Sequence, residues 1–170
     1  QFRKDPDERG VAEAWFAAQL PEADTPHWSP ITVPAYWDKT DAGPYQGYAW
    51  YRTTFRMPAE WDGERVCLSF DAVDEQAWVY LNGRLVGEHT LVSEGRDIEG
   101  FSIGNLWNVP FTITVPVDQL RLGEDNLLAV RVHNAVGAGG IWRPLHVHPP
   151  LEDSPLFLET ADLGQGTPWL

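Results

Sequence analysis

Several aromatic side chains of this sequence lie among Gly, Pro and Asn residues, which are typical of loops. Sugars are bound by aromatic faces that stack on their C–H surfaces, while Asn, Arg and backbone groups satisfy the hydroxyls. The pattern therefore predicts a carbohydrate-binding set in the loops. Its members are Tyr45, Tyr48, Trp107, Asn134, Trp142 and Arg143. For Tyr48 and Trp142 taken singly, packing at the ends of the fold is the simpler interpretation.

A second set of residues has the spacing of a metal site. His146 and His148 lie on one face of a predicted strand, and Glu152 follows at the spacing of a first cupin motif that begins at Gly140. A cupin also requires a later histidine, and none follows His148. We interpret the match as coincidental and expect no cofactor, although His133 would complete a three-histidine set if its strand lies alongside.

Carboxylates offer little support for catalysis in this chain. A glycosidase needs two carboxyl groups roughly 5 to 10 Å apart across the bound sugar. Asp71, Asp74 and Glu75 form the one tempting cluster, but they precede a predicted hairpin, where acidic residues commonly form turns. Near the N-terminus, Asp5, Asp7 and Glu8 predict a solvated stretch, with a structural calcium site as the alternative.

The charge of the chain excludes two classes of partner. Its 12 Lys and Arg residues face 25 Asp and Glu residues, a formal net charge of −13. This field repels nucleic acid and anionic membranes, and no apolar run approaches the roughly 20 residues of a membrane helix. The single cysteine, Cys67, leaves the redox compartment open. Since the sequence starts at Gln1 without Met or a signal peptide, we expect a processed or trimmed chain.

Apolar residues alternate with polar ones along most of the chain from Tyr48 onward, which predicts β-strands. The inward-facing sets are Tyr51, Phe55 and Met57; Val66, Leu68 and Phe70; Ala77, Val79 and Leu81; Phe111, Ile113 and Val115; and Leu128, Val130 and Val132. Asn82-Gly83 predicts a tight hairpin that Leu85 to Glu88 completes. A last strand is expected from Trp142 to Val147. The predicted fold class is all-β, a two-sheet sandwich or jelly roll.

Three aromatic residues fall out of phase with this core pattern and lie on the second face of their strands, namely Trp50, Trp78 and Tyr80. That face is either a binding platform or is covered. One possible cover is the segment from Val11 to Leu20, the only stretch with a helical pattern. The other is a neighbouring domain.

The order of several motifs resembles the N-terminal sugar-binding domain of family 2 glycoside hydrolases. The resemblance rests on Trp28-Ser29-Pro30-Ile31-Thr32-Val33-Pro34, Trp37, Gly47-Tyr48-Ala49-Trp50-Tyr51-Arg52, Val73-Asp74, Ala77-Trp78-Val79-Tyr80-Leu81-Asn82-Gly83, Pro110-Phe111-Thr112-Ile113, Asn126-Leu127-Leu128-Ala129-Val130-Arg131-Val132 and Gly140-Ile141-Trp142-Arg143-Pro144. It covers about Pro26 to Val147, and blocks in this order are far more specific than one motif.

The resemblance implies a galactose-binding-like jelly roll whose parent enzymes carry their catalytic carboxylates in a separate barrel domain. We accordingly expect an N-terminal extension packed on the domain at residues 1–25, the jelly roll at 26–148, and a linker or docking tail at 149–170. The expected function is a non-catalytic carbohydrate-binding module of a secreted or periplasmic glycoside hydrolase. A glycan and the remaining domains of the parent chain are the expected partners. A purely structural interdomain module is the alternative, ahead of a cupin-like metal enzyme.

Overall fold

A computed structural model describes residues 1–20, 26–96 and 102–151 of the protein, and contains strands and short 3₁₀ helices but no α-helix within these ranges. The strands are β1 (Phe2–Asp5), β2 (Gly47–Arg56), β3 (Arg65–Phe70), β4 (Gln76–Leu81), β5 (Arg84–His89), β6 (Phe111–Pro116), β7 (Asp125–Asn134) and β8 (Leu145–His148). The 3₁₀ helices include Trp37–Lys39, Ile103–Leu106 and Val117–Gln119. None of the helices in the described ranges has the length and apolarity to cross a bilayer.

The strands form two antiparallel sheets that pack face to face. One sheet has the order β1-β2-β7-β4-β5, and the other has the order β6-β3-β8. This arrangement confirms the predicted all-β jelly-roll sandwich. The sheets differ in width, with five strands in one and three in the other.

The core between the sheets contains the residues that alternation assigned to it. Leu68 and Val79, from opposite sheets, are fully buried, as is Val132. The predicted hairpin is also present, with a φ of 50° at Asn82 and 88° at Gly83. Two successive positive φ angles are what a type I′ turn needs, and they suit Asn-Gly.

The N-terminal strand β1 was not predicted from the sequence. It pairs with β2, placing Phe2 opposite Tyr51 and Asp5 opposite Tyr48. The Phe2 ring enters the main core, 5.2 Å from the Tyr51 ring and 5.6 Å from that of Trp37. Four residues are too few for alternation to reveal, so this strand is specified by its contacts with the sheet.

The predicted helix from Val11 to Leu20 is wrong, because these residues form turns and bends. Trp15 and Phe16 are adjacent in the chain, yet both rings pack on Trp50, at centroid distances of 6.4 and 6.2 Å. Neighbouring residues of an α-helix point about 100° apart, so a turn suits this packing better. The second aromatic face is thus covered by this segment over Trp50 and Tyr80.

The last strand is shorter than expected and starts later, at Leu145. Pro144 has no N–H to donate to a ladder, which accounts for the later start. Trp142 and Arg143 consequently lie in the loop before β8. Of the two terminal segments expected from the sequence, residues 21–25 and 152–170 lie outside the described residues.

Candidate functional site

Four connections meet at one end of the sandwich, which we call the loop end. They are residues 40–46 before β2, 71–75 between β3 and β4, the described parts of 90–110 between β5 and β6, and 135–144 between β7 and β8. Strand register brings them together. Gly47 lies opposite Asn134, and Phe70 lies opposite both Phe111 and Leu145. Four predicted site residues lie in these loops, namely Tyr45, Trp107, Trp142 and Arg143.

An aromatic stack forms at the loop end around Trp142. Its ring stacks on that of Tyr36 at a centroid distance of 5.1 Å and on that of Trp107 at 5.3 Å. The Trp142 indole Nε1 donates a hydrogen bond to the Trp107 carbonyl oxygen at 2.8 Å. The Arg143 guanidinium lies 4.5 Å from the Trp142 ring centroid. Trp107 remains 43% exposed, so the stack presents an aromatic edge to solvent.

The loop end also contains three buried acceptor oxygens. They are Asp74 Oδ1, Glu75 Oε1 and Asn134 Oδ1, and none has a hydrogen-bond partner in the described part of the chain. The other atoms of two of these side chains are engaged. Glu75 Oε2 accepts from the Ala135 N–H at 3.0 Å, and Asn134 Nδ2 donates to the carbonyl oxygens of Tyr45 and Gly137. A ligand or partner that offers donors would satisfy the free oxygens.

The electrostatics of this cluster disfavour negative charge. Burial raises the pKa of Asp74 to about 7, with smaller contributions from the charges of Glu75 and Asp38. Burial also raises the pKa of Glu75, against the hydrogen bond from the Ala135 N–H. A protonated carboxyl can donate as well as accept. The loop end therefore suits neutral, hydroxyl-rich groups or cationic ones better than anions.

The loop from 135 to 140 lies close against the sandwich because of its glycines and one carboxylate. Asp38 Oδ2 accepts a hydrogen bond from the Gly139 N–H at 3.0 Å. Gly140 has a φ of 126°, and a Cβ there would meet the Tyr51 hydroxyl at 2.8 Å. Only glycine permits this close approach. The next residue, Ile141, is buried in the core, and Trp142 follows it in the chain and joins the stack.

The remaining predicted sugar-binding residues lie in other environments. Tyr45 is half-buried, with its ring 5.9 Å from that of Trp37. Tyr48 lies on the outer face of the larger sheet, where it stacks on His133 at 4.3 Å and lies 3.7 Å from the Arg131 guanidinium. The structure therefore joins Trp107, Trp142 and Arg143 in one surface. Asn134 is connected to the loop end by its hydrogen bond to Gly137, whereas Tyr48 lies on the outer face of the larger sheet.

The acidic cluster suggested by the sequence is divided by the fold. Asp74 and Glu75 are buried at the loop end, whereas Asp71 lies 3.5 Å from His146 on the outer face of the smaller sheet. Near the N-terminus, Asp5 is buried and its carboxylate accepts from the Arg9 and Gly10 N–H groups and from the Trp50 indole. These contacts give Asp5 the role of anchoring the N-terminal segment.

The proposed three-histidine set is wrong. His133 lies on β7 in the larger sheet, whereas His146 and His148 lie on β8 in the smaller sheet, paired with β3. Residues on different sheets of a sandwich face away from each other when both point outward. Glu152 lies outside the described residues, and among those described no three His, Cys, Asp or Glu side chains come close enough to hold a metal ion.

Two residues of the loop end were missed by sequence reasoning. Tyr36 and Asp38 lie just before the 40–46 connection and flank Trp37, which is fully buried. A signal for the buried acids was present: Asp74 and Glu75 directly follow the apolar residues of β3 and the pair Ala72-Val73. Acidic residues in such a setting indicate a buried polar site.

Comparisons with known proteins agree with this fold. Residues 1–104 match the family described as Glycosyl hydrolases family 2, sugar binding domain. A β-glucuronidase of Formosa agariphila is 31% identical over 144 residues, covering 69% of this chain and 13% of that protein. One of Paenibacillus borealis is 37% identical over 93 residues, covering 52% of this chain and 15% of that protein.

Among solved structures, the Ruminococcus gnavus β-glucuronidase superposes with a TM-score of 0.58 at 25% identity, over 80% of this chain and 20% of the enzyme. The chain thus spans between 13% and 20% of the length of these relatives. The family match covers more than half of the chain, from β1 to the 3₁₀ helix before β6. The chain belongs to the sugar-binding domain family of the family 2 glycosyl hydrolases.

Proposed function

We propose that this chain is a non-catalytic module of a larger glycoside hydrolase, and that its loop end binds a glycan or shapes the entrance to the active site of the attached enzyme. The observation that carries the proposal is the solvent-facing stack of Tyr36, Trp142 and Trp107, at the same end of the sandwich as buried oxygens that have no donor in the described part of the chain. A sugar could contact both features, since its C–H faces stack on aromatic rings and its hydroxyls donate hydrogen bonds to oxygen acceptors.

Three further features support this reading of the loop end. Asp74 and Glu75 are held toward their neutral forms by burial, so they would bind hydroxyls rather than serve as an ionised nucleophile and acid pair. Arg143 adds donors at the edge of the stack. The short span of the chain relative to its relatives supports a role as one module of a larger enzyme.

The competing function is a purely structural module whose second aromatic face docks on the parent enzyme. Over Trp50 and Tyr80 that face is already occupied by Trp15 and Phe16 of the same chain. A structural module of this kind would have to use another surface. The glycan-binding function therefore has the more specific support.

The test is a glycan array on the 170-residue chain and on its Trp107→Ala and Trp142→Ala variants, each first checked for folding by circular dichroism. We expect binding to one or more glycans and its loss in both variants. Trp142→Phe should retain part of the binding, because it keeps a ring in the stack. The matched control is Trp61→Ala, which removes an indole from the β2–β3 connection at the opposite end of the sandwich.

If the wild-type chain binds no glycan on the array, the glycan-binding function is contradicted and the structural role takes its place. Binding that survives in folded Trp107→Ala and Trp142→Ala variants would place the sugar elsewhere. Equal losses in Trp61→Ala would point to a general loss of structure.

A further inference from the structure

A groove lies on the outer face of the smaller sheet, outside the aromatic stack, and reaches the loop end only at Asp71. Its volume is about 530 Å³. Strand alternation makes it polar, because Val66, Leu68 and Phe70 of β3 point into the core and the intervening residues point out. We call this surface the polar groove; its floor is Ser69, Thr112, Thr114 and His148, and its two ends are Arg65 and Asp71.

A directed chain of hydrogen bonds crosses the floor of the polar groove. The Thr112 and Ser69 hydroxyl oxygens are 2.7 Å apart, Ser69 Oγ is 2.8 Å from His148 Nε2, and His148 Nδ1 is 2.6 Å from the Pro149 carbonyl oxygen. A carbonyl only accepts, so Nδ1 carries the proton and Nε2 of the neutral ring accepts from Ser69. Ser69 then accepts from Thr112. The hydroxyls are held in one orientation before any ligand arrives.

This orientation leaves acceptor positions facing the groove. Each floor hydroxyl has two lone pairs, and the chain uses only one on Ser69 and none on Thr112. Donors come from Arg65 at one end, and a carboxylate from Asp71 at the other. Arg65 begins β3 and Asp71 follows it, six residues apart, so the groove is roughly 20 Å long at about 3.3 Å per residue.

One wall of the groove is apolar. It consists of Pro149, Pro150 and Leu151, and the Leu151 residue is 65% exposed. A polar floor with one exposed apolar wall matches a ligand that has hydroxyls on its edges and C–H groups on its faces. The charges of Arg65 and Asp71 cancel, so the groove has no excess positive charge with which to attract an anion to a molecule of net charge −13.

We infer that the polar groove is a second carbohydrate-binding surface, which takes a stretch of a neutral oligosaccharide chain. Its length accommodates several sugar rings end to end, with hydroxyl contacts along the floor and ring faces against the Pro-Pro-Leu wall. The inference goes beyond the function proposed for the loop end and does not depend on it, since the groove uses none of the stacked residues Tyr36, Trp107 and Trp142.

The experiment is an NMR titration of the full 170-residue chain, labelled with ¹⁵N, with cellohexaose, mannohexaose and xylohexaose at millimolar concentrations. We expect at least one of them to shift amide signals of β3, β6 and β8. The double variant Ser69→Ala/Thr112→Val removes both floor hydroxyls with little change of shape and should weaken that binding roughly thirtyfold, since two hydrogen bonds at about 1 kcal/mol each are lost and about 1.4 kcal/mol is a factor of ten. The matched control is Thr54→Val, an exposed hydroxyl on the larger sheet, which should bind as the wild type does.

Each outcome decides between the two surfaces. If no hexasaccharide shifts the groove amides, or if the double variant binds as tightly as the wild type, the inference is overturned. Shifts confined to residues 102–107 and 142 would support the loop end alone and also overturn it. If the amide shifts in β3, β6 and β8 persist in Trp142→Ala, they would support binding in the polar groove, whether or not the loop end binds a glycan.

Discussion

The protein uses indole rings in two contrasting ways, and the contrast separates structure from function. Trp50 lies on the outer face of the larger sheet, yet it is fully buried under Trp15 and Phe16, and its Nε1 donates to the buried carboxylate of Asp5. Trp107 and Trp142 also lie outside the main core, but their stack stays open to solvent. An excess of aromatic residues in a sequence therefore does not by itself identify a binding surface. An aromatic residue outside the core is available for binding only if no other segment of the chain packs over it.

The largest effect expected from breaking this contrast is on stability, with Trp50→Ala. It removes a fully buried indole from beneath the N-terminal segment and leaves Asp5 without one of its donors. Replacing a buried Trp by Ala costs about 3–5 kcal/mol of unfolding free energy. Urea denaturation followed by circular dichroism measures it, and Trp107→Ala, at an exposed position, should lose far less. Equal losses in the two variants would remove the distinction between the two groups of indoles.

Asp5→Ala should have the next largest effect, because it takes away the acceptor for the Trp50 indole and for the Arg9 and Gly10 N–H groups. Leaving buried donors unsatisfied costs about 1–3 kcal/mol. Hydrogen exchange should accelerate first at Gly10 and in residues 11–20. Asp7→Ala is the control, since that side chain is largely exposed. Unchanged protection of residues 10–20 would show that Asp5 does not anchor the segment.

The loop end should make stability depend on pH. The folded pKa of Asp74, about 7, exceeds its ordinary value of 3.8, so the folded state binds the proton more tightly. Stability is then full below about pH 4 and is lost as the pH rises toward 7, by at most about 1.4 kcal/mol per pH unit. Melting temperatures from pH 4 to 8 would measure this loss. In the Asp74→Asn variant the melting temperature should depend less on pH, because the variant lacks the carboxyl group that titrates. A profile equally steep in the variant would assign it to other groups.

Trp142→Ala should cost less stability than Trp50→Ala. The ring is partly exposed, and its stacking on Tyr36 and Trp107 contributes about 0.5–1.5 kcal/mol for each aromatic pair beyond burial. Urea denaturation should therefore show a clearly smaller loss than for Trp50→Ala, while glycan binding should fall much further. A loss as large as that of Trp50→Ala would make Trp142 a structural residue and would weaken the function proposed for the loop end.

Sequence reasoning succeeded where the local pattern and the fold agree. Leu68, Val79 and Val130 belong to the alternating inward-facing sets predicted from the sequence, and each lies in the core. Asn82-Gly83 forms the predicted turn. It failed for Val11 to Leu20, where a helical pattern was overridden by the aromatic surface of the sheet. For the site, it found Trp107, Trp142 and Arg143 but not Tyr36, because stacking between residues over 100 positions apart leaves no local trace.

By itself the sequence determined the β-strands from Gly47 onward, the Asn-Gly hairpin and the family, because alternation, turn residues and motif order are local properties of the chain. Only the tertiary structure decided which aromatic residues are covered. It also decided that Asp74 and Glu75 are buried while Asp71 is exposed, and that His133 lies on a different sheet from His146 and His148. These outcomes depend on which strands become neighbours and which segment lies across them. Both the strand order and the position of the covering segment are determined by contacts between residues that are distant in the chain. Local sequence patterns do not reveal these contacts.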